Sequence, residues 1–214
     1  TGTRPLLEAG ADVFIRFNEG VSILKKVVAA ETGQATKLTL PAGKRFEELV
    51  SSRKPFGLET TFRGKAVRGA NDVLVQQNGS PGYVAREAIP SGTGLVDKWK
   101  VFISYAAPGT GNKDTYPHRV ISTPFLGEPG TISSETYLCI GPFDTKVEAE
   151  SALSYLSCRL TRLLIQLRKA SQHVTSKVYG FVPNQEWTKR WSDADLYAKY
   201  ELTDDEIAFI EKIV

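Results

Sequence analysis

DTKVEAESALSYLSCRLTRLLIQLRKASQHVTSK, residues 144–177, carries a clear helical period and reads as one long helix. Leu153, Leu156, Leu160, Leu163, Leu164 and Leu167 recur at steps of three and four, which sets them on one stripe. Arg159, Arg162, Gln166, Lys169 and His173 recur at the same steps on the other side, within about 80° of arc at 100° per residue. No Asp or Glu lies between Glu150 and Glu186, so no acid of the segment neutralises that face. Gly141-Pro142 ends the preceding segment, Asp144 or Thr145 can cap, and Glu148 stands three after Thr145 as in a capping box. Two readings of the cationic face stay open. It is a solvated helix face, or it tracks a phosphate backbone.

Working outward, the C-terminal side is acidic. Residues 186–214 hold eight acids and four bases, a net −4. The whole chain of 214 residues is +3, which leaves +7 on residues 1–185. A basic body with an acidic tail is compatible with a polyanionic partner. Residues 187–214 read as helical, with Ser192 as one cap and Thr203 with Glu206 as a capping box for another segment.

The N-terminal side is strand-rich. Residues 72–77 and 83–89 flank Asn78-Gly79 and Pro81-Gly82 and predict a hairpin. Residues 98–105 predict the strongest strand, with Val101 and Ile103 opposite Phe102 and Ser104. Residues 107–117 form a polar loop carrying Asn112 and Lys113, with His118 at its far side. Strands follow at 119–122, 136–140 and 177–182, with a turn-rich connection over 124–133. Residues 13–17 give a short strand at best, residues 19–30 a helix with Val21, Leu24, Val27 and Val28 on one side, and residues 46–51 another short helix.

The fold class expected is therefore α+β: a strand-rich, mostly antiparallel module on a long amphipathic helix, with a short helical N-terminal join and a helical C-terminal tail. The divisions are 1–50, 51–185 and 186–214. Composition is that of a soluble domain, 41% hydrophobic and 24% charged. No apolar run reaches the roughly 18 residues of a membrane span. Two cysteines make no disulfide framework, which fits a reducing cytoplasm. Methionine is absent, which predicts a fragment of a longer protein.

Catalytic signatures are sparse. Cys139, Cys158, His118 and His173 lack the close pair spacings of a zinc site, so no metal is expected. Residues 108–113 hold glycines and a lysine but lack the Gly-Lys-Ser/Thr ending of a P-loop. Asp144-Thr145-Lys146 with Glu135 is the one acid–lysine constellation that a Mg-dependent nuclease could use. Helix capping explains the same residues without further assumptions and is the favoured reading.

Several runs carry a family resemblance. They are Arg53-Lys54-Pro55-Phe56-Gly57-Leu58 with Phe62, and Tyr116-Pro117-His118-Arg119 with Pro124-Phe125. Others are Ser134-Glu135-Thr136-Tyr137-Leu138 with Gly141-Pro142-Phe143, and Arg162-Leu163-Leu164 with Lys169 and Gln172. Val178-Tyr179-Gly180-Phe181-Val182-Pro183, Trp187, Trp191, Leu196-Tyr197 and Lys199-Tyr200 continue the pattern. Together they resemble the segment that follows the catalytic domain in adenine-specific DNA methyltransferases of Type II restriction-modification systems, some of them joined to an endonuclease. The resemblance implies a target recognition (specificity) domain, similar to those of Type I specificity subunits, that binds double-stranded DNA beside the parent methyltransferase catalytic domain. Neither the Asn/Asp-Pro-Pro-Tyr signature of methyl transfer nor a glycine-rich S-adenosylmethionine loop occurs in the chain. The resemblance thus implies recognition without catalysis and no cofactor in this chain. The parent would supply S-adenosylmethionine, and Mg if an endonuclease is fused. The expected DNA-binding residues are Arg159, Arg162, Gln166, Lys169, His173, Lys177, Asn112, Lys113, His118 and Arg119. A nuclease domain in its own right and a subunit-docking domain remain as alternatives.

Overall fold

The computed structural model describes residues 7–8, 10–107 and 116–214. Among them the fold is α+β, with five α-helices and six strands. The strands form two three-stranded sheets. In one, β1 (Asp72–Gln76) lies between β2 (Gly82–Ala85), antiparallel, and β5 (Thr131–Ser133), parallel. In the other, β3 (Trp99–Ser104) lies between β4 (Phe125–Gly127) and β6 (Tyr137–Phe143), both antiparallel.

The period of two along β3 and β6 makes the second sheet a wall between two cores. Val101, Ile103, Leu138 and Ile140 join a large helical cluster. Phe102 and Cys139, one residue out of step, join a small cluster with Phe56, Leu58, Val73, Val75 and Ile132. Lys100, on the Phe102 side, is fully buried. Its Nζ donates to Val96 O at 2.9 Å and Thr131 O at 2.8 Å, with Glu128 O at 3.4 Å. One ammonium thus ties β3 to the turn before it and to β5. Opposite Lys100 in the register stands Gly127. A Cβ there would lie 2.5 Å from the Phe102 ring and 2.6 Å from Lys100 Cγ, so only glycine lets both side chains lie against β4.

The large cluster is helical. α1 (Asn18–Thr32) buries Val21, Ile23, Leu24, Val27 and Val28. α2 (Lys146–Ser157), α3 (Arg159–Arg168), α4 (Asp193–Lys199) and α5 (Asp204–Ile213) complete it. The expected capping boxes form at Thr145 with Glu148 and Thr203 with Glu206, and the expected cap Ser192 forms a box with Asp195. The chain's two ends are cross-linked in the fold. Ser22 donates to Glu206, Lys26 pairs with Glu206 at 2.7 Å, and Tyr200 OH donates to Glu31 at 2.9 Å. One core cluster runs from Ile15 to Val214.

Four sequence expectations are corrected. The helix expected over 144–177 is broken: Cys158 is extended (φ −68°, ψ 142°), and α3 ends at Arg168. Side chains bond the last-turn carbonyls of α2 at the break. Ser157 Oγ donates to Leu153 O at 3.0 Å and Cys158 Sγ to Ser154 O at 3.4 Å. The freed Arg159 N–H is then capped by Asp193 Oδ1 from α4 at 2.6 Å. Second, 119–122 is no strand; Val120 and Ile121 are buried in the helical cluster without sheet pairing. Third, 177–182 is no strand; it begins inside a 3-10 turn at Ser176–Tyr179. The short strand at 13–17 also does not form. Conversely, the connection over 124–133 contains β4 and β5, too short to show a period.

A candidate nucleic-acid interface

Breaking the helix changes what its cations do. On α3, Leu160, Thr161, Leu163, Leu164, Ile165 and Leu167 are all buried, so the helix has little free face. Arg159 is exposed, with Nη1 3.2 Å from Glu211 of α5. The acidic tail therefore lies against the basic helix and meets one of its charges. Arg162 is half-buried, with its Nε unpaired. Burial holds its pKa below the usual arginine value; Asp193 counters this, and the nearby charges of Arg119 and Arg159 add to the lowering. Gln166 is half-buried on the same helix.

Beyond α3 the expected residues leave the helical register. Lys169 is half-buried, its pKa lowered by burial, and Nζ donates to Val120 O at 2.8 Å. His173 is exposed and stacks on Tyr105, with centroids 4.9 Å apart and 19° between planes. Lys177 is exposed, 3.7 Å from Glu47. His118 is buried; its backbone N–H donates to Ile213 O at 2.7 Å, and its Nδ1 finds no partner among the described residues. Arg119 is exposed and donates to Thr123 Oγ1 at 2.9 Å. Asn112 and Lys113 lie outside the described residues.

Several of these nevertheless meet. Ala107 N donates to Gln172 O and Val174 N to Tyr105 O, each at 2.9 Å. These bonds clamp the start of the 107–117 loop to the segment that carries His173. At the loop's far end, Arg119 comes near Arg162, and Lys169 holds the carbonyl of Val120. His173, Lys169, Arg162, Arg119 and His118 thus gather around the two ends of one loop. Lys177 stands apart, by Glu47.

Two site residues escape a periodicity argument. The Arg53 guanidinium lies 4.8 Å over the Tyr105 ring, on which His173 also stacks. Arg53 is held there by an ion pair with Glu135, a buried carboxylate whose backbone N–H donates to Leu58 O at 2.8 Å. Lys54 pairs with Glu59, which raises the lysine's pKa, and stands 3.9 Å from Glu135. So Arg53-Lys54 and Ser134-Glu135-Thr136, far apart in sequence, form one wall. Tyr105 shows no sequence signal beyond ending the strongest strand. The arrangement offers a planar cation, an aromatic ring and an imidazole beside further cations. That set suits stacking on bases and contacts to phosphates.

The acid constellation is not assembled. Asp144 pairs with Lys98 at 2.7 Å, Lys146 faces Glu150 at 3.7 Å, and Glu135 serves Arg53. Among the described residues no three His, Cys, Asp or Glu side chains gather as a metal site would need. Cys139 and Cys158 are buried, and burial pushes both thiols up to about 12. A cleft of about 530 Å³ lined by Glu31, Lys44, Gln185, Trp191 and Lys199 is polar, and three of its groups serve one another. Lys199 Nζ meets Glu31 at 2.7 Å and Gln185 Oε1 at 2.6 Å. No described helix is long and apolar enough to cross a membrane. Comparison with protein-family models, curated proteins and solved structures finds no match to the chain.

Proposed function

We propose that this chain is a double-stranded DNA recognition module, the target recognition part of a cytoplasmic restriction-modification enzyme built around an adenine-specific methyltransferase. The observation that carries the reading is the convergence of Arg53, Tyr105, His173, Lys169, Arg162 and Arg119 around the ends of the 107–117 loop. Cations there meet phosphates, and the loop with the Tyr105–His173 stack meets bases. Chemistry on the base belongs to the parent catalytic domain, which would bring S-adenosylmethionine. In this reading Arg162 acts through its charge, and Lys169 mainly holds the 119–122 segment in place.

The test is duplex binding across a salt gradient, followed by fluorescence anisotropy. Log affinity should fall linearly with log salt, and Arg119→Ala should lower the slope by about one. His173→Ala should weaken binding at every salt concentration without changing the slope. Affinity that stays flat with salt, or an Arg119→Ala variant that binds as wild type does, overturns the assignment.

A further inference from the structure

Residues 60–71 carry Arg63, Lys65 and Arg68 and no acid. Nearly all of the segment is exposed, Val67 at 79%. Only Phe62 packs on a core. The segment is nevertheless held firmly. Lys65 exchanges both backbone hydrogen bonds with Tyr83, at 2.8 and 2.9 Å, along β2. Gly64 and Gly82 pass backbone against backbone; a Cβ on Gly64 would fall 2.6 Å from Tyr83 N. Gln77, itself buried, accepts from Gly64 N at 2.8 Å and donates to Ser80 O at 2.7 Å, stapling the segment to the hairpin turn. Asp72, also buried, accepts from Gly69 N at 2.8 Å and Lys65 Nζ at 3.0 Å.

This much backbone order fixes side chains that neither core uses. The two bonds from Arg63 Nη1, to Thr60 O at 2.9 Å and Phe62 O at 2.7 Å, keep its guanidinium at the surface. Arg68 is exposed. The result is a rigid, cationic, ribbon-like edge with an apolar tip, beside a turn that exposes Asn78. A major groove admits a two-stranded ribbon, phosphates bound it on both sides, and thymine methyls and adenine edges inside suit an aliphatic side chain and an asparagine. We propose that residues 62–71, with the adjoining 77–81 turn, form a second duplex-DNA contact, in which Arg63 and Arg68 hold phosphates while Val67 and Asn78 face base edges. The proposal rests on the reading that the chain binds duplex DNA, and it names a surface distinct from the 107–117 loop and its cations.

The experiment measures the salt dependence of binding of the whole 214-residue chain to a short mixed-sequence duplex. The variants are Arg63→Ala/Arg68→Ala and Arg63→Lys/Arg68→Lys. The alanine pair should lower the slope of log affinity against log salt by about two while its melting curve stays that of wild type. The lysine pair should keep the wild-type slope, because a phosphate contact needs the charge. If wild type binds duplex and the alanine pair binds with the same slope, the contact through residues 62–71 is wrong and the function stands. If wild type binds no duplex, both fall.

Discussion

The helical core and the small β-module are held by different means. α3 buries six consecutive-turn residues, and its neighbours contribute Tyr155, Phe46, Trp187 and Tyr179 in edge-on and tilted contacts. That region is stabilised by apolar area and aromatic packing. The module around β1, β2 and β5 has ten buried apolar residues in its cluster. Too small to rely on area alone, it threads polar side chains through its backbone. Lys100 binds carbonyls of two segments, Gln77 staples a loop to a turn, and Glu135 anchors Arg53. A small layer can thus be made specific by buried hydrogen bonds where it cannot be made strong by volume.

Truncation should break this contrast from the helical side most severely. Leu164→Ala, at a position 1% exposed, should cost about 3 kcal/mol, read as a shift in the midpoint of urea unfolding. A loss below about 1 kcal/mol would mean that α3 is not the apolar centre described above.

Lys100→Met tests the other side. Val96 O keeps the Gly130 N–H, and Glu128 O keeps the Thr131 N–H, so the cost falls mainly on Thr131 O. Removing a buried ammonium offsets part of it, and a net loss of about 1–2 kcal/mol is expected at neutral pH. The pH dependence is more telling. Burial pulls the Lys100 pKa from 10.5 down to about 8. Between these values the unfolded chain keeps a proton that the folded chain has released, so the lysine's contribution to stability rises with pH. Cys139, pushed from 9.0 up to about 12, works in the opposite direction above pH 9. Lys100 and Cys139 act on each other's charge, so the difference between wild type and Lys100→Met is read with Cys139→Ala in both. That difference should move in favour of wild type by about 1–2 kcal/mol from pH 8 to about 10. A flat difference would leave the ammonium without an electrostatic cost.

Two smaller effects belong to neither core. Thr145→Ala removes a capping box from α2 and should cost about 1 kcal/mol by thermal melting. Arg119→Ala, at an exposed side chain bonded only to Thr123 among the described contacts, should change stability by less than about 0.5 kcal/mol. If it melts early instead, the cation is part of the scaffold.

What could be read in the sequence followed from period and capping chemistry. The alternation at 101–104 correctly assigned opposite faces to Val101 and Phe102, and the boxes at Thr145 and Thr203 with the cap at Ser192 marked helix starts. The break at Cys158 was invisible, because it carries no proline or glycine. At the break, Ser157 and Cys158 donate to the carbonyls of Leu153 and Ser154, and the distant Asp193 accepts from Arg159 N–H. The same distance hid the stack of Arg53, Tyr105 and His173, whose members are separated by tens of residues and meet only across the fold. The helix face of Arg159, Arg162 and Lys169 was legible as charge. That Glu211 and Val120 O engage parts of it was not.

The bonds joining α1 to the last helices also set a timetable. Glu206 meets Ser22 across 184 residues of chain, and Tyr200 meets Glu31 across 169. On a ribosome adding about 5–20 residues per second, α1 emerges on the order of ten to thirty seconds before its partners exist. Through that interval its face of Val21, Ile23, Leu24, Val27 and Val28 has nothing from α5 to cover it. Closure over so long a loop is also slow by topology alone. The nascent chain therefore carries this apolar face uncovered until its C-terminal helices are made, the interval in which a holdase on α1 would act.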